Sequence, residues 1–322
     1  MTTARGAAQG VAPVRQSGIA RWWTYQRERF PLAMHAPLIA AFTSSGLCLS
    51  ALLRGGTAPR WPVVAAAFAT GLAFFLQLRI ADEFKDAADD ARFRPYRPVP
   101  RGLVTLRELA WVGAACAAGQ LALALLVDVR LVALLVPVWG FMAAMSLDFG
   151  ARAWLVRHPL VVLASHMLVL PLFDLYATAF DWLPAGVPVA RGIGWFMAAS
   201  YGTGVVVELG RKLRAPPDEE TGVETYSARF GLRTASIGML VAMALTLGCA
   251  VQVSRLTGHV RLAALPLCLI LLVTAFTAWR VVRAPRPGDG RRFEMLAGVW
   301  TLVLYLAIGI VPYALVHSGW SS

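Results

Sequence analysis

Nine stretches of apolar residues, each about as long as a helix that crosses a bilayer, leave this chain of 322 residues little freedom in architecture. A hydrocarbon core is spanned by about 20 helical residues. Stretches of that order lie near 33–53, 61–80, 108–127, 131–147, 159–177, 193–210, 235–253, 263–279 and 294–316. Hydrophobic residues make up 58% of the sequence, above the roughly half expected of a soluble domain. Inside lipid every backbone polar group must be satisfied within the protein, which restricts spanning segments of this length to helices. The expected fold is therefore all-α: a polytopic membrane protein of about nine transmembrane helices around a central cavity. No polar stretch is long enough for a further domain, so residues 31–322 read as one membrane domain behind an N-terminal tail, residues 1–30.

A net charge of +12 would suit a nucleic-acid binder, but the cations sort by loop instead of forming one basic face. With the N-terminus inside, the tail and the loops containing Lys85 to Arg107, Arg211 to Arg233 and Arg280 to Arg292 hold most of the Arg and Lys. The opposite loops carry Arg54, Arg60, Arg130, Arg191, Arg255 and Arg261. This bias follows the positive-inside rule and places the N-terminus in the cytoplasm and the C-terminus outside. The expected location is the inner membrane of a cell, with lipid as partner and no nucleic acid. The tail has no apolar run with a cleavage site of small residues, which argues against a signal peptide. Arg21-Trp22-Trp23-Thr24-Tyr25 reads as an interfacial anchor. Cys48, Cys116, Cys249 and Cys268 lie in apolar segments without CxxC spacing, which argues against a zinc site or a disulfide framework.

Against this apolar background the acidic residues are concentrated. Asp82, Glu83, Asp86, Asp89 and Asp90 follow the second apolar stretch; Glu208, Asp218, Glu219, Glu220 and Glu224 follow the sixth. Together they hold more than half of the eighteen acidic residues. Carboxylates this dense repel one another and resist desolvation near lipid, so they suggest a bound cation. An even number of spans separates the clusters, which puts both on the cytoplasmic face, as in a weak internal repeat. If the second helix continues past Ile80, Asp82, Asp86 and Asp90 follow i, i+4, i+8 spacing and share a face, with side chains about 6 Å apart. Magnesium, which takes few protein carboxylates and completes its shell with water and phosphate oxygens, suits such a ladder. The alternative is a solvated helix end paired with Lys85, Arg92 and Arg94.

The run from Asp82 through Asp86 to Asp90, followed by Tyr96-Arg97-Pro98-Val99-Pro100-Arg101-Gly102, resembles the first signature of the UbiA superfamily of intramembrane prenyltransferases. The stretch from Glu208 to Tyr226 is similar, more loosely, to the second. The resemblance implies nine helices and an enzyme that binds an isoprenyl diphosphate through magnesium, ionises the allylic C–O bond and lets a lipophilic, often aromatic, acceptor attack the cation. It further implies that Asp82, Asp86 and Asp90, or Asp89 in place of Asp90, form the first metal set. Arg97 would contact the diphosphate or order its loop, and Glu208 and Asp218 would belong to the second metal set. The chain departs from the pattern in two ways. It contains no asparagine, so Asp82 stands where the family often has Asn. Where the family spaces aspartates along a helix it reads Gly210-Arg211-Lys212-Leu213-Arg214-Ala215-Pro216-Pro217. Three readings stay open: Arg211, Lys212 and Arg214 grip the diphosphate, Asp218, Glu219 and Glu220 fold back after the prolines to supply metal ligands, or the loop is a charged cytoplasmic turn with internal ion pairs.

Other signals are weaker. His35, His158, His166, His259 and His317 show no ligand spacing and read as structural. Asp148 and Asp174 are intramembrane acids, with a packing role expected for Asp174. Trp195, Tyr201 and Tyr226 line a prenyl tunnel or fill core, and Gly202 and Gly204 permit close helix contact. Alternatives to prenyl transfer are phosphoribosyl transfer or terpene cyclisation on the same fold. A cation-binding membrane protein or transporter would place acids at several depths rather than at one face.

Overall fold

A computed structural model of the chain describes residues 18–220 and 222–318; Arg5 and Arg15 of the basic tail lie outside the described residues. The described residues are helical, with no strand among them. Eight helical stretches are long and apolar enough to cross a membrane: Leu32–Leu53, Trp61–Lys85, Leu106–Val127, Val129–Ser146, Pro159–Trp182, Leu232–Thr257, Val260–Arg283 and Asp289–His317. Ile193–Arg211 supplies the ninth expected helix. It is less apolar than its neighbours because it packs against protein on several sides, where Ser200 and Thr203 can be buried without facing lipid.

In chain order the elements are α1 (Gly18–Arg29), α2 (Leu32–Leu53), α3 (Trp61–Lys85), α4 (Ala87–Phe93), α5 (Leu106–Val127), α6 (Val132–Ser146), α7 (Arg152–Leu155) and α8 (Pro159–Met167). They continue as α9 (Val169–Trp182), α10 (Ile193–Arg211), α11 (Tyr226–Phe230), α12 (Leu232–Thr257), α13 (Val260–Arg283), α14 (Asp289–Tyr305) and α15 (Val311–His317). α8 and α9 form one crossing with a step at Leu168. A π-helical turn, Leu306–Ile310, joins α14 to α15.

α2 packs against α3, α9 and the π-helical turn, and α10 packs against α9, α12 and α14, so these two helices occupy the interior. Gly202 and Gly204 work there as the sequence suggests: a Cβ on Gly204 would lie 2.5 Å from Leu170 Cδ1 of α9, and one on Gly202 would collide with Thr246 of α12. Where membrane helices lack a hydrophobic drive to associate, such close approach supplies the van der Waals contact instead. α5 and α13 are peripheral, and Trp111, Leu126, Leu265, Leu272 and Phe276 remain exposed on them, as lipid-facing side chains should be.

The anchor region is a docked helix. Arg21 bonds Glu108, Glu28 pairs with Arg101 and Arg29 with Glu83, while Tyr25 packs on Ile80, Val104 and Leu109. These contacts hold α1 across the ends of α3 and α5. Thr105 and Glu108 form a capping box that starts α5.

Candidate active site

α3 extends beyond Ile80 and carries Asp82, but it stops at Lys85. Asp86 takes φ −94° and ψ 3° and separates α3 from α4. The expected ladder is therefore broken after its second rung, and its members part company. Asp90 is only 2% exposed, and its carboxylate accepts from Arg94 Nη1 at 2.9 Å and from Arg97 Nη1 at 2.7 and 2.6 Å. It pins the loop after α4, and Arg97, expected at a diphosphate, spends its guanidinium on that pin. Asp89 faces solvent. Glu83, buried at 1% exposure, is taken by Arg29.

Asp82 and Asp86 remain. Asp86 is half-buried and makes no ion pair or hydrogen bond through its carboxylate among the described residues. Burial, and then the neighbouring Asp82 and Asp90 carboxylates, push its carboxyl above the usual range. Asp82 lies 3.4 Å from Arg79 and within electrostatic reach of Arg211, Glu208 and Lys85. Asp82 of α3 and Glu208 of α10, far apart in sequence, are thus within electrostatic reach of each other at the acidic end of the bundle.

The second cluster also divides. Glu208 pairs with Lys212 at 2.8 Å and Arg211 at 3.6 Å, both at the C-terminal end of α10, where cations complement the helix dipole. Asp218 accepts from the backbone amides of Gly288 at 2.7 Å and Gly290 at 3.1 Å, so it caps the start of α14. Glu219 accepts from Thr225 Oγ1 and Ser227 Oγ, and Ser227 Oγ in turn accepts from the Arg214 amide, which closes the loop internally. The Arg214 side chain lies against Gly290. Asp218, Glu219 and Arg214 therefore organise the loop and are not turned to the acids of α3. The prolines that follow α10 open a 3-10 turn, Pro216–Asp218, which brings Asp218 to the start of α14.

Two further features were not assigned by sequence spacing. Arg79 presents a guanidinium beside Asp82, Arg211 and Arg29, and its buried Nε has no hydrogen-bond partner among the described residues. Its signal was the i, i+3 spacing to Asp82. Lys85, expected as a surface partner of the acids, turns the other way. Its Nζ donates to Asp148 Oδ1 and lies 3.2 Å from His166 Nε2, which is 3.7 Å from Asp148. Asp148 and Phe149 hold φ of 51° and 52°, a costly conformation for side-chain-bearing residues. The fold maintains it to keep Asp148 on Lys85, which leaves Asp86 unoccupied.

No three acidic, histidine or cysteine side chains among the described residues come together as a ready-made metal cage. What stands at the acidic end is an unpaired Asp86, an Asp82–Glu208 approach, and cations from Arg79, Arg211 and Lys212. That mixture suits an anion carried with a metal better than a metal alone.

Comparison with known proteins identifies the family and the fold. The profile of the UbiA prenyltransferase family matches residues 40–302. A comparison with curated proteins finds no match. Among solved structures, the apo structure of a UbiA homolog from Aeropyrum pernix superposes with a TM-score of 0.67 at 17% identity, covering 86% of this chain and 97% of that one. A structure of digeranylgeranylglyceryl phosphate synthase gives 0.61 at 12% identity, over 91% of this chain and 99% of that one. A UbiA homolog from Archaeoglobus fulgidus bound to DMAPP and Mg2+ gives 0.52 at 14%, over 88% and 98%. At these identities the structures speak for the fold, and the family profile, which spans most of the chain, speaks for descent. The chain belongs to the UbiA prenyltransferase family and is an integral membrane enzyme of that class.

Proposed function

We propose that this enzyme transfers an isoprenyl group from an allylic diphosphate to a lipophilic acceptor, with the donor's diphosphate seated between the ends of α3 and α10. The observation that carries this reading is the half-buried Asp86, without a partner among the described residues, beside Asp82, which has Glu208 and Arg79, with its unsatisfied Nε, within electrostatic reach. The residues fit magnesium: few carboxylates, with substrate phosphate and water left to complete the shell. Asp82 and Asp86 would hold it from α3 and Glu208 from α10. When bound, magnesium would neutralise charge developing on the leaving diphosphate.

The chain's own residues account for the rest. Arg79 and Arg211 approach the seat from two helices and would fork onto phosphate oxygens, stabilising the charge that grows as the C–O bond opens. Lys212 stays on Glu208 and orients it. Lys85, fixed by Asp148, adds positive potential beside Asp86 without occupying it. The apolar bundle beyond the acids excludes water from an allylic cation, and its ring faces offer cation–π stabilisation. The fold neighbour bound to DMAPP and magnesium accords with a donor of this kind. The acidic end also gathers the Arg-rich loops, which supports a cytoplasmic face for the site and an inner-membrane location.

The test is incubation of purified protein with dimethylallyl, geranyl, farnesyl and geranylgeranyl diphosphates and a panel of aromatic and lipid acceptors, with and without magnesium. Magnesium-dependent diphosphate release that collapses in Asp86→Ala is expected. Absence of release from every donor, or an Asp86→Ala variant as active as the parent, would overturn the reading.

A further inference from the structure

Four aromatic side chains meet inside the bundle on the side of the acids that faces the membrane interior. Phe74 and Phe173 stack with centroids 4.2 Å apart, and Phe42 stacks on the other side of Phe173 at 5.8 Å. Phe75 meets Phe42 edge-on at 5.7 Å and Phe173 at 6.3 Å. The rings come from α2, α3 and α9, and Tyr305 of α14 extends the group through an edge contact of 5.0 Å to Phe42. Phe42, Phe74, Phe173 and Tyr305 are buried, whereas Phe75 is only partly so.

Phe75 has a particular register. Residues 75, 79, 82 and 86 recur at alternating spacings of four and three, which puts them in one stripe along α3. The stripe runs from a ring, past the Arg79 guanidinium, to the carboxylates of Asp82 and Asp86. Phe75 lies two turns from Asp82, about 10 Å along the axis. A chain whose diphosphate sits at Asp82 and Asp86 and whose tail follows α3 therefore meets the rings after about the length of two isoprene units.

Behind the rings the surroundings become polar. Asp174, next to Phe173 in α9, is 1% exposed, and its Oδ2 has no hydrogen-bond partner among the described residues. It adjoins Ser200 and Tyr305, whose hydroxyls bond each other at 3.0 Å. A hydrocarbon tail pushed past the rings would meet a carboxyl group and two hydroxyls whose hydrogen bonds it cannot replace, and burying unsatisfied polar groups against hydrocarbon is costly.

We propose that Phe42, Phe74, Phe75 and Phe173, backed by Asp174, form the floor of the donor pocket and restrict this enzyme to short allylic diphosphates, of about two isoprene units or fewer. The inference rests on the transferase reading above and adds the class of donor. The rings act as specificity determinants by occupying the volume a third isoprene unit needs. Misfit of even small apolar groups in such a pocket discriminates by about tenfold or more.

The test measures kcat/KM for the four donors named above with the full chain in detergent or nanodiscs. Geranyl diphosphate is expected to exceed farnesyl diphosphate by about tenfold or more. Phe173→Ala and Phe75→Leu are each expected to raise the farnesyl-to-geranyl ratio by about tenfold. A substitution that merely weakens the bundle lowers all donors together and leaves that ratio where it was. A parent enzyme that uses farnesyl or geranylgeranyl diphosphate as well as geranyl diphosphate would overturn the inference while leaving the transferase reading intact. So would an unmoved ratio in both variants. Inertness toward all four donors would overturn the transferase reading and the inference together.

Discussion

Replacing Asp86 by Asn removes one negative charge at nearly constant volume, and the structure makes the consequences for activity and stability opposite in sign. Among the described residues Asp86 has no partner to lose. A cation about 4 Å from its carboxylate, at an effective dielectric of about 20, is attracted by roughly 4 kcal/mol. Forfeiting that in the step where the diphosphate departs corresponds to about 10³ in rate. Stability should move the other way. Burial and the Asp82 and Asp90 carboxylates raise the Asp86 carboxyl in the folded protein, so its ionised form is disfavoured there. At neutral pH neutralisation relieves that penalty, and the melting temperature should hold or rise. The assay pairs magnesium-dependent diphosphate release with thermal unfolding of the same preparation. An Asp86→Asn protein within tenfold of the parent rate at saturating magnesium would refute the assignment of Asp86 to the metal. A marked fall in melting temperature would refute the claim that its carboxylate is unpaired.

Three other substitutions separate the remaining acids by role. Asp90→Asn strands Arg94 and Arg97, and breaking so enclosed a pair should cost roughly 3–5 kcal/mol; early unfolding and protease cleavage between residues 94 and 105 are expected, and an unchanged melting curve would contradict the pin. Asp148→Asn frees Lys85 to reach the acids and should raise the magnesium concentration needed for half-maximal activity by about tenfold, or about 1.4 kcal/mol. Lys85→Met in the same chain should restore it, and failure of the double variant to recover would show that Asp148 acts some other way. Asp218→Ala removes a cap from α14, typically about 1 kcal/mol, and should lower the melting temperature without altering the magnesium requirement; a shift in that requirement comparable to that of Asp86→Asn would return Asp218 to the metal site.

The path of the chain through the membrane was readable because lipid imposes a length and an apolar composition on each crossing, and the nine stretches correspond to helices in the structure. Spacing also put Asp82 and Asp86 close together at the end of α3, since i, i+4 is a local relation. It failed at Asp90, where the helix had already broken and two arginines waited in the following loop. The loop after α10 was opaque for a related reason. Whether Asp218 folds back to a metal or outward to α14 depends on amides of Gly288 and Gly290, seventy and more residues downstream. The Lys85–Asp148–His166 group joins three separate parts of the chain, and no periodicity points to it. The ring floor was hidden likewise: phenylalanines are common in any membrane helix, and only packing shows that these four share one depth.

The most direct test of the central claim, a seat for a metal diphosphate between the ends of α3 and α10, is crystallographic. Crystals grown with geranyl thiodiphosphate and manganese in place of magnesium would be measured at the manganese absorption edge. The account predicts anomalous density beside Asp82 and Asp86 and facing Glu208, with the diphosphate touching Arg79. Density at Asp218 and Glu219, or diphosphate bound elsewhere with Asp86 still free, would contradict it.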